Sequence, residues 1–138
     1  MSTLSVATIK SQSSAAPVFQ NSSGTEKGIL AAGFVNFQGT GTVAIRDSFN
    51  VSSITDIASG KYQVNFTNAL SNNDYSIAVS CAQANEDHPN PLFSFPYQCD
   101  STMGTSAVRV KVGYHSSGHT DTAVTDRSYV FVTIFGDT

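Results

Sequence analysis

Apolar and polar residues alternate along most of this chain with a period of two. Residues 61–67 show it best, with Tyr62, Val64 and Phe66 on one side and Lys61, Gln63, Asn65 and Thr67 on the other. Successive side chains of an extended strand point to opposite faces, so the run predicts a half-buried antiparallel strand. Tyr75, Ile77, Val79 and Cys81 form a second apolar row against Ser76, Ala78 and Ser80. The turn residues 71–74 between the two rows predict that they pair as a hairpin. Residues 106–113 repeat the alternation, with Val108, Val110 and Val112 inward and Arg109 and Lys111 outward. The last strand, 128–135, is apolar on both sides: Tyr129, Phe131 and Phe135 against Val130, Val132 and Ile134. Such a strand lies centrally in a packed structure or at a subunit interface.

Nearer the start the signals are shorter. Residues 30–37 predict a strand with Phe34 and Ala32 on one face and Val35 and Phe37 on the other. Gly39 and Gly41 mark a turn over 38–42, because glycine reaches positive φ at little steric cost. Residues 43–49 follow with Val43, Ile45 and Phe49 inward, then a short strand or bulge over 50–54 and a turn over 56–60. No stretch carries a helical period. Six or seven short strands separated by turns predict an all-β fold, an antiparallel β-sandwich that is jelly-roll-like or barrel-like.

Residues 1–28 read differently. Leu4, Val6 and Ile9 give a short apolar set, followed by a Ser/Ala stretch to Pro17, then Val18-Phe19 and the polar run 21–28. So many small polar residues bury too little apolar area to offset the entropy of ordering them alone. A leader wholly exposed to solvent has no use for five apolar side chains. Residues 1–28 are thus either a floppy leader or, as expected here, an extended attachment arm anchored on a partner by Leu4, Val6, Ile9, Val18 and Phe19, with the body over 29–138.

Composition supports strands and narrows the function. Of 138 residues, 20 are Ser and 14 Thr, while 13 Val and 7 Ile stand against 4 Leu and no Trp. β-Branched side chains lose χ1 freedom in a helix and pack well on a pleated face. Charged residues make up only 12%, and 7 basic against 10 acidic residues leave a net charge of −3, which argues against nucleic acid as a partner. No apolar run approaches the ~20 residues of a membrane-spanning helix, so the chain is not expected to span a bilayer. The first ten residues lack the basic start and apolar core of a signal peptide, so synthesis in a cytoplasm is expected. The glycosylation-like triplets at Asn21, Asn50 and Asn65 are then chance matches.

Little in the chain suggests catalysis. His115 and His119, with Asp121 nearby, have a metal-like spacing, but the segment is rich in Gly and Ser and reads as a surface turn. There is no nucleophile elbow, no phosphate-binding glycine loop, and no recognisable carboxylate pair among two Glu and eight Asp. No enzyme activity, metal or cofactor is expected. The long loop over 82–105 is more informative, since connections of that length are usually functional or disordered. Pro89, Pro91 and Pro96 restrict its backbone, and Phe93, Phe95 and Tyr97 crowd into five positions. These rings either cap the end of the sandwich or offer flat contact area to a sugar or a protein. Cys81 and Cys99 would close the loop if bridged, stabilising by ~3 kcal/mol, or would remain as buried thiols.

The run Phe34-Val-Asn-Phe-Gln-Gly-Thr-Gly-Thr-Val-Ala-Ile-Arg-Asp-Ser-Phe-Asn-Val-Ser-Ser-Ile54, followed by Gly60-Lys-Tyr-Gln-Val-Asn-Phe66, resembles a module of bacteriophage tail-fibre and related virion structural proteins. The opening Thr8-Ile-Lys-Ser, the Ser/Ala linker and Pro17-Val-Phe are similar to the leader of that group, so the likeness runs from residue 1 to about 81. It implies a short tail fibre, a homotrimer located in the virion. The arm would attach to other tail or baseplate proteins, and the tip loops would meet a host surface glycan or outer-membrane protein. Residues expected at that contact are Phe93, Phe95, Tyr97, Tyr114, His115 and His119. The alternative is a head decoration or a tail or baseplate structural protein with no receptor-binding role.

Overall fold

The computed structural model describes residues 19–28, 30–84, 92–96, 103–115 and 122–136. Among them run β1 (Phe19–Gln20), β2 (Glu26–Gly28), β3 (Gly33–Gln38), β4 (Ala44–Phe49), β5 (Val51–Ala58), β6 (Lys61–Phe66), β7 (Ser76–Ala82), β8 (Leu92–Pro96), β9 (Ala107–His115), β10 (Thr122–Val124) and β11 (Tyr129–Phe135). The fold is all-β, with two antiparallel sheets packed face to face. One sheet is ordered β4-β3-β11-β7, and the other holds β5, β6 and β9 with β8 on the far edge of β9. Val112 explains how β9 accommodates a further partner, β10. Its N–H donates to Gly60 O at 2.9 Å and its carbonyl accepts from Thr125 N at 3.2 Å, so β6 and the β10 segment share one edge of β9 end to end.

The core lies between the sheets and is built from the alternating rows. Val35, Phe37, Val130, Val132 and Ile134 face Tyr62, Val64, Phe66, Val108, Val110 and Val112, all of them buried. Phe37 and Tyr62 meet edge to face across the layers with ring centres 5.0 Å apart, a geometry that sets a positive ring edge on a negative face. β11, apolar on both sides, lies centrally between β3 and β7.

Several local expectations are revised. β6 and β7 do not form a hairpin: β6 pairs with β5 and β9, and β7 pairs with β11 in the opposite sheet. An alternating row fits any sheet equally well, and here the connection crosses between layers, burying Leu70 and Tyr75 beneath it. Phe49 points outward at 57% exposure beside Phe34 at 37%, its register partner. A register shift between Asn36 and Phe37 interrupts the alternation, so Ile45 stands opposite Phe37 while Phe49 takes the outer face. Ile45 is at the sheet edge and is also exposed, whereas Val43 packs on the core as expected. Ala32 is buried with Val35 and Phe37 and not grouped with Phe34. β5 continues to Ala58, so the turn shrinks to Ser59-Gly60, with Gly60 at φ 65. The expected loop over 82–105 contains β8, paired along β9 from Leu92↔Tyr114 to Pro96↔Val110.

The described part of the expected arm turns back on itself. β1 and β2 form a separate two-stranded sheet around Asn21, whose Oδ1 accepts from Ser23 N at 3.1 Å and Thr25 N at 2.8 Å. Asn, Ser and Gly at 21–24 supply the side-chain acceptor and the positive φ (78 at Gly24) that such a turn needs.

Candidate functional site

The strands give the sandwich two distinct ends. At the first lie the start of β3, the Phe49-Asn50-Val51 corner, Phe66, Ala107 and the end of β11, because Phe34 pairs with Phe49, Val51 with Phe66, and Asn65 with Ala107. At the second lie Gln38, Lys61, Ala82, residues 112–115 and Tyr129. The chain enters the body at the first end, where Ala32 N donates to Ile134 O at 2.8 Å. The β7–β8 and β9–β10 connections leave from the second end.

The sequence-predicted contact residues are distributed as follows. Phe93 and Phe95 lie on β8, opposite Gly113 and Lys111. Tyr114 lies on β9 between Leu92 of β8 and Ala123 of β10, and His115 ends that strand opposite Thr122. Phe93, Phe95, Tyr114 and His115 are therefore brought to one sheet region at the second end. Tyr97 and His119 lie outside the described residues, as do Leu4, Val6, Ile9, Val18 and Cys99. Phe19 is on β1, 46% exposed.

Sequence reasoning missed the polar group beneath this region. Asp126 Oδ1 accepts from Gly60 N and from the Tyr62 hydroxyl, each at 2.7 Å, and the same hydroxyl lies 3.1 Å from Gly39 O. Burial pushes the Tyr62 phenol far up, and the adjoining Asp126 carboxylate pushes it the same way. Gly39 has to be glycine, because any Cβ there would strike the Tyr62 hydroxyl. Next in sequence, Arg127 is only 3% exposed, with its guanidinium 5.0 Å from the centre of the Tyr114 ring. Its Nε and Nη2 have no hydrogen-bond partner. Burial also pushes the Cys81 thiol up, partly opposed by a backbone hydrogen bond to Gly113 and by the Arg127 charge. The available signal was Asp126-Arg127, two adjacent charges just before the most apolar strand of a charge-poor chain.

At the first end a small open pocket of about 190 Å³ is lined by Ala32, Phe49, Asn50, Thr67 and Asn68. Asn50 is committed to structure there: its Nδ2 donates to Ala32 O at 3.0 Å and Asn68 O at 3.2 Å, and its Oδ1 accepts from Asn68 N at 2.8 Å. Among the described residues no three His, Cys, Asp or Glu side chains are grouped to hold a metal ion. Among the same residues no helix is long and apolar enough to cross a membrane.

No protein-family model matches the chain, and neither does any curated protein or solved structure. The functional reading rests on the residues themselves.

Proposed function

We propose that this chain is a bacteriophage virion structural protein, a short tail fibre that attaches through its N-terminal arm and meets the host surface through loops at the opposite end. One observation carries the reading furthest. The chain enters the sandwich at one end, whereas His115 and Thr122, which flank the β9–β10 connection, stand at the other. A fibre tip needs that polarity, with attachment behind and recognition ahead. Phe93 and Phe95 are carried on β8 near the recognition end, and aromatic residues there suit a sugar ring or a protein surface. Three copies in a homotrimer would turn weak single-site binding into useful avidity. The partners under this reading are other tail or baseplate proteins and a host surface glycan or outer-membrane protein. A barrel-like closure belongs to the same proposal, supported by the single residue Asn50 that joins β4 of one sheet to β5 of the other.

The test replaces Phe93, Phe95 and Tyr97 together with alanine and measures adsorption of particles to host cells, with thermal unfolding as the fold control. Adsorption is expected to fall at least tenfold while the protein stays on the particle. A second variant lacking residues 1–18 is expected to fold but to leave the particle. Unchanged adsorption by the triple variant would overturn host recognition and leave a decoration or baseplate component.

A further inference from the structure

The outer faces of the two sheets differ along their central strands. On the β5-β6-β9 sheet the outward residues form a hydrogen-bonded polar ladder. Asn65 Nδ2 donates to Ser53 Oγ and Thr55 Oγ1 at 3.0 Å each, Gln63 Nε2 to Asn65 Oδ1 at 2.8 Å, and Arg109 Nε to Gln63 Oε1 at 3.2 Å. This central part of the face is finished for water, with exposed Ile57 beyond it on β5 and β8 beyond it on the far side of β9. The β4-β3-β11-β7 sheet instead turns Phe34, Phe49, Phe131 and Phe135 outward, each between 37% and 57% exposed. Tyr129 extends the row, its ring stacked at 7° on that of Phe131. An aromatic row of this extent on the outer face of a sheet is a surface for a partner to cover.

We infer that the outer face of the β4-β3-β11-β7 sheet is a self-association surface, covered by another copy of this chain. Relief and charge both select that occupant. The aromatic side chains stand on β4, β3 and β11, while β7 beside them presents only Ser76, Ala78, Ser80 and Ala82, opposite Phe135, Thr133, Phe131 and Tyr129. The face thus carries a ridge and a shallow trough of matching length side by side. A neighbouring copy can seat its ridge in this trough. Charge on the face is limited to one residue of each sign, Arg46 and Asp47, next to each other on β4. Arg46 is already held by Ser128 O at 2.7 Å, Gln38 Oε1 at 3.2 Å and the Tyr129 ring at 4.1 Å. A copy therefore meets no run of like charge, and a strongly charged partner finds nothing to pair with. Four strands of about six residues offer roughly 400 Å² in projection. Stable complexes bury ~800 Å² per partner, so the expected association is micromolar unless the sheet edges also engage. The inference does not depend on host recognition, and a ring of two or of three copies satisfies it.

Sedimentation equilibrium of the full chain from about 1 to 500 μM tests it. The wild type is expected to reach the mass of two or three copies. Ala78→Glu in the trough and Phe49→Ser on the ridge should each weaken association at least tenfold with unchanged thermal unfolding of the monomer. Thr55→Glu, on the polar face, should leave association intact. A monomeric wild type, or an assembly that tolerates both face variants, or one that Thr55→Glu disrupts equally, would overturn the assignment. Adsorption to host cells reads the other proposal separately.

Discussion

Tyr62 shows how one side chain can tie the two layers together. Its ring packs against Phe37 in the core while its hydroxyl reaches Asp126 and Gly39 at the rim. Losing that hydroxyl leaves Asp126 with one donor fewer, so Tyr62→Phe is expected to lower stability at pH 7 by about 1–2 kcal/mol in urea unfolding. The pH dependence follows from the sign of the shift. Tyr62 ionises in the folded state well above its usual 10.0, so its contribution is complete below about pH 10 and is lost as the pH rises further. Tyr62→Phe should therefore flatten part of the alkaline fall in stability, and only part, because burial pushes Tyr75 up as well. Arg127 presents the opposite case. A buried guanidinium with two unpartnered nitrogens costs more than it contributes, beyond its contact with Tyr114. Arg127→Met keeps the length and apolar stem, and is expected to raise stability by about 1–3 kcal/mol in the same measurement.

At the level of elements, the corner at Asn50 and the turn at Gly60 hold the second sheet in register. Asn50 sits at φ 54, a conformation most side chains avoid, and its amide bonds three backbone groups while its carbonyl accepts from Thr67 N at 3.1 Å. Asn50→Ala loses the amide bonds and keeps the strain, so a loss of about 2–4 kcal/mol is expected. Asn50→Gly relieves the strain and should lose less, and equal losses would show that strain plays no part. At Gly60, positive φ coincides with crowding: a Cβ would lie 2.5 Å from both Thr125 N and Val112 O. Gly60→Ala is expected to destabilise by at least ~2 kcal/mol, read from the unfolding midpoint. Element periods were legible where a strand alternates without interruption, as in β6, β9 and β11. They misled at β4, where the bulge reverses the faces, and β8 was hidden because Leu92–Pro96 carries two aromatics in a proline-rich run that has no partner in its own neighbourhood.

For the whole molecule, the pattern of alternation settles the class and tertiary structure settles the arrangement. A period of two, abundant Val, Ile and Thr, and turns at short intervals determine that the chain is all-β and that Val64, Val110 and Val132 face inward, since each of these depends only on local geometry. The aromatic trio over 93–97 and the pair Tyr114-His115 were visible as candidate contacts, but nothing local told that Phe93 and Phe95 lie on a strand paired to Tyr114's own. Which strands pair was equally out of reach: an alternating row is compatible with any neighbour, and only the long-range fit of both layers separates β6 from β7. The polar group of Tyr62, Asp126, Gly39 and Gly60 spans residues far apart in the chain, so it exists only once the layers close. The apolar doubling of β11 was plain in the sequence as a sign of central position or of an interface. Tertiary structure divides that sign in two, burying Val130, Val132 and Ile134 between the sheets and leaving Phe131 and Phe135 on the outer face, because a strand in a two-layer sandwich has only one side that the fold itself can cover.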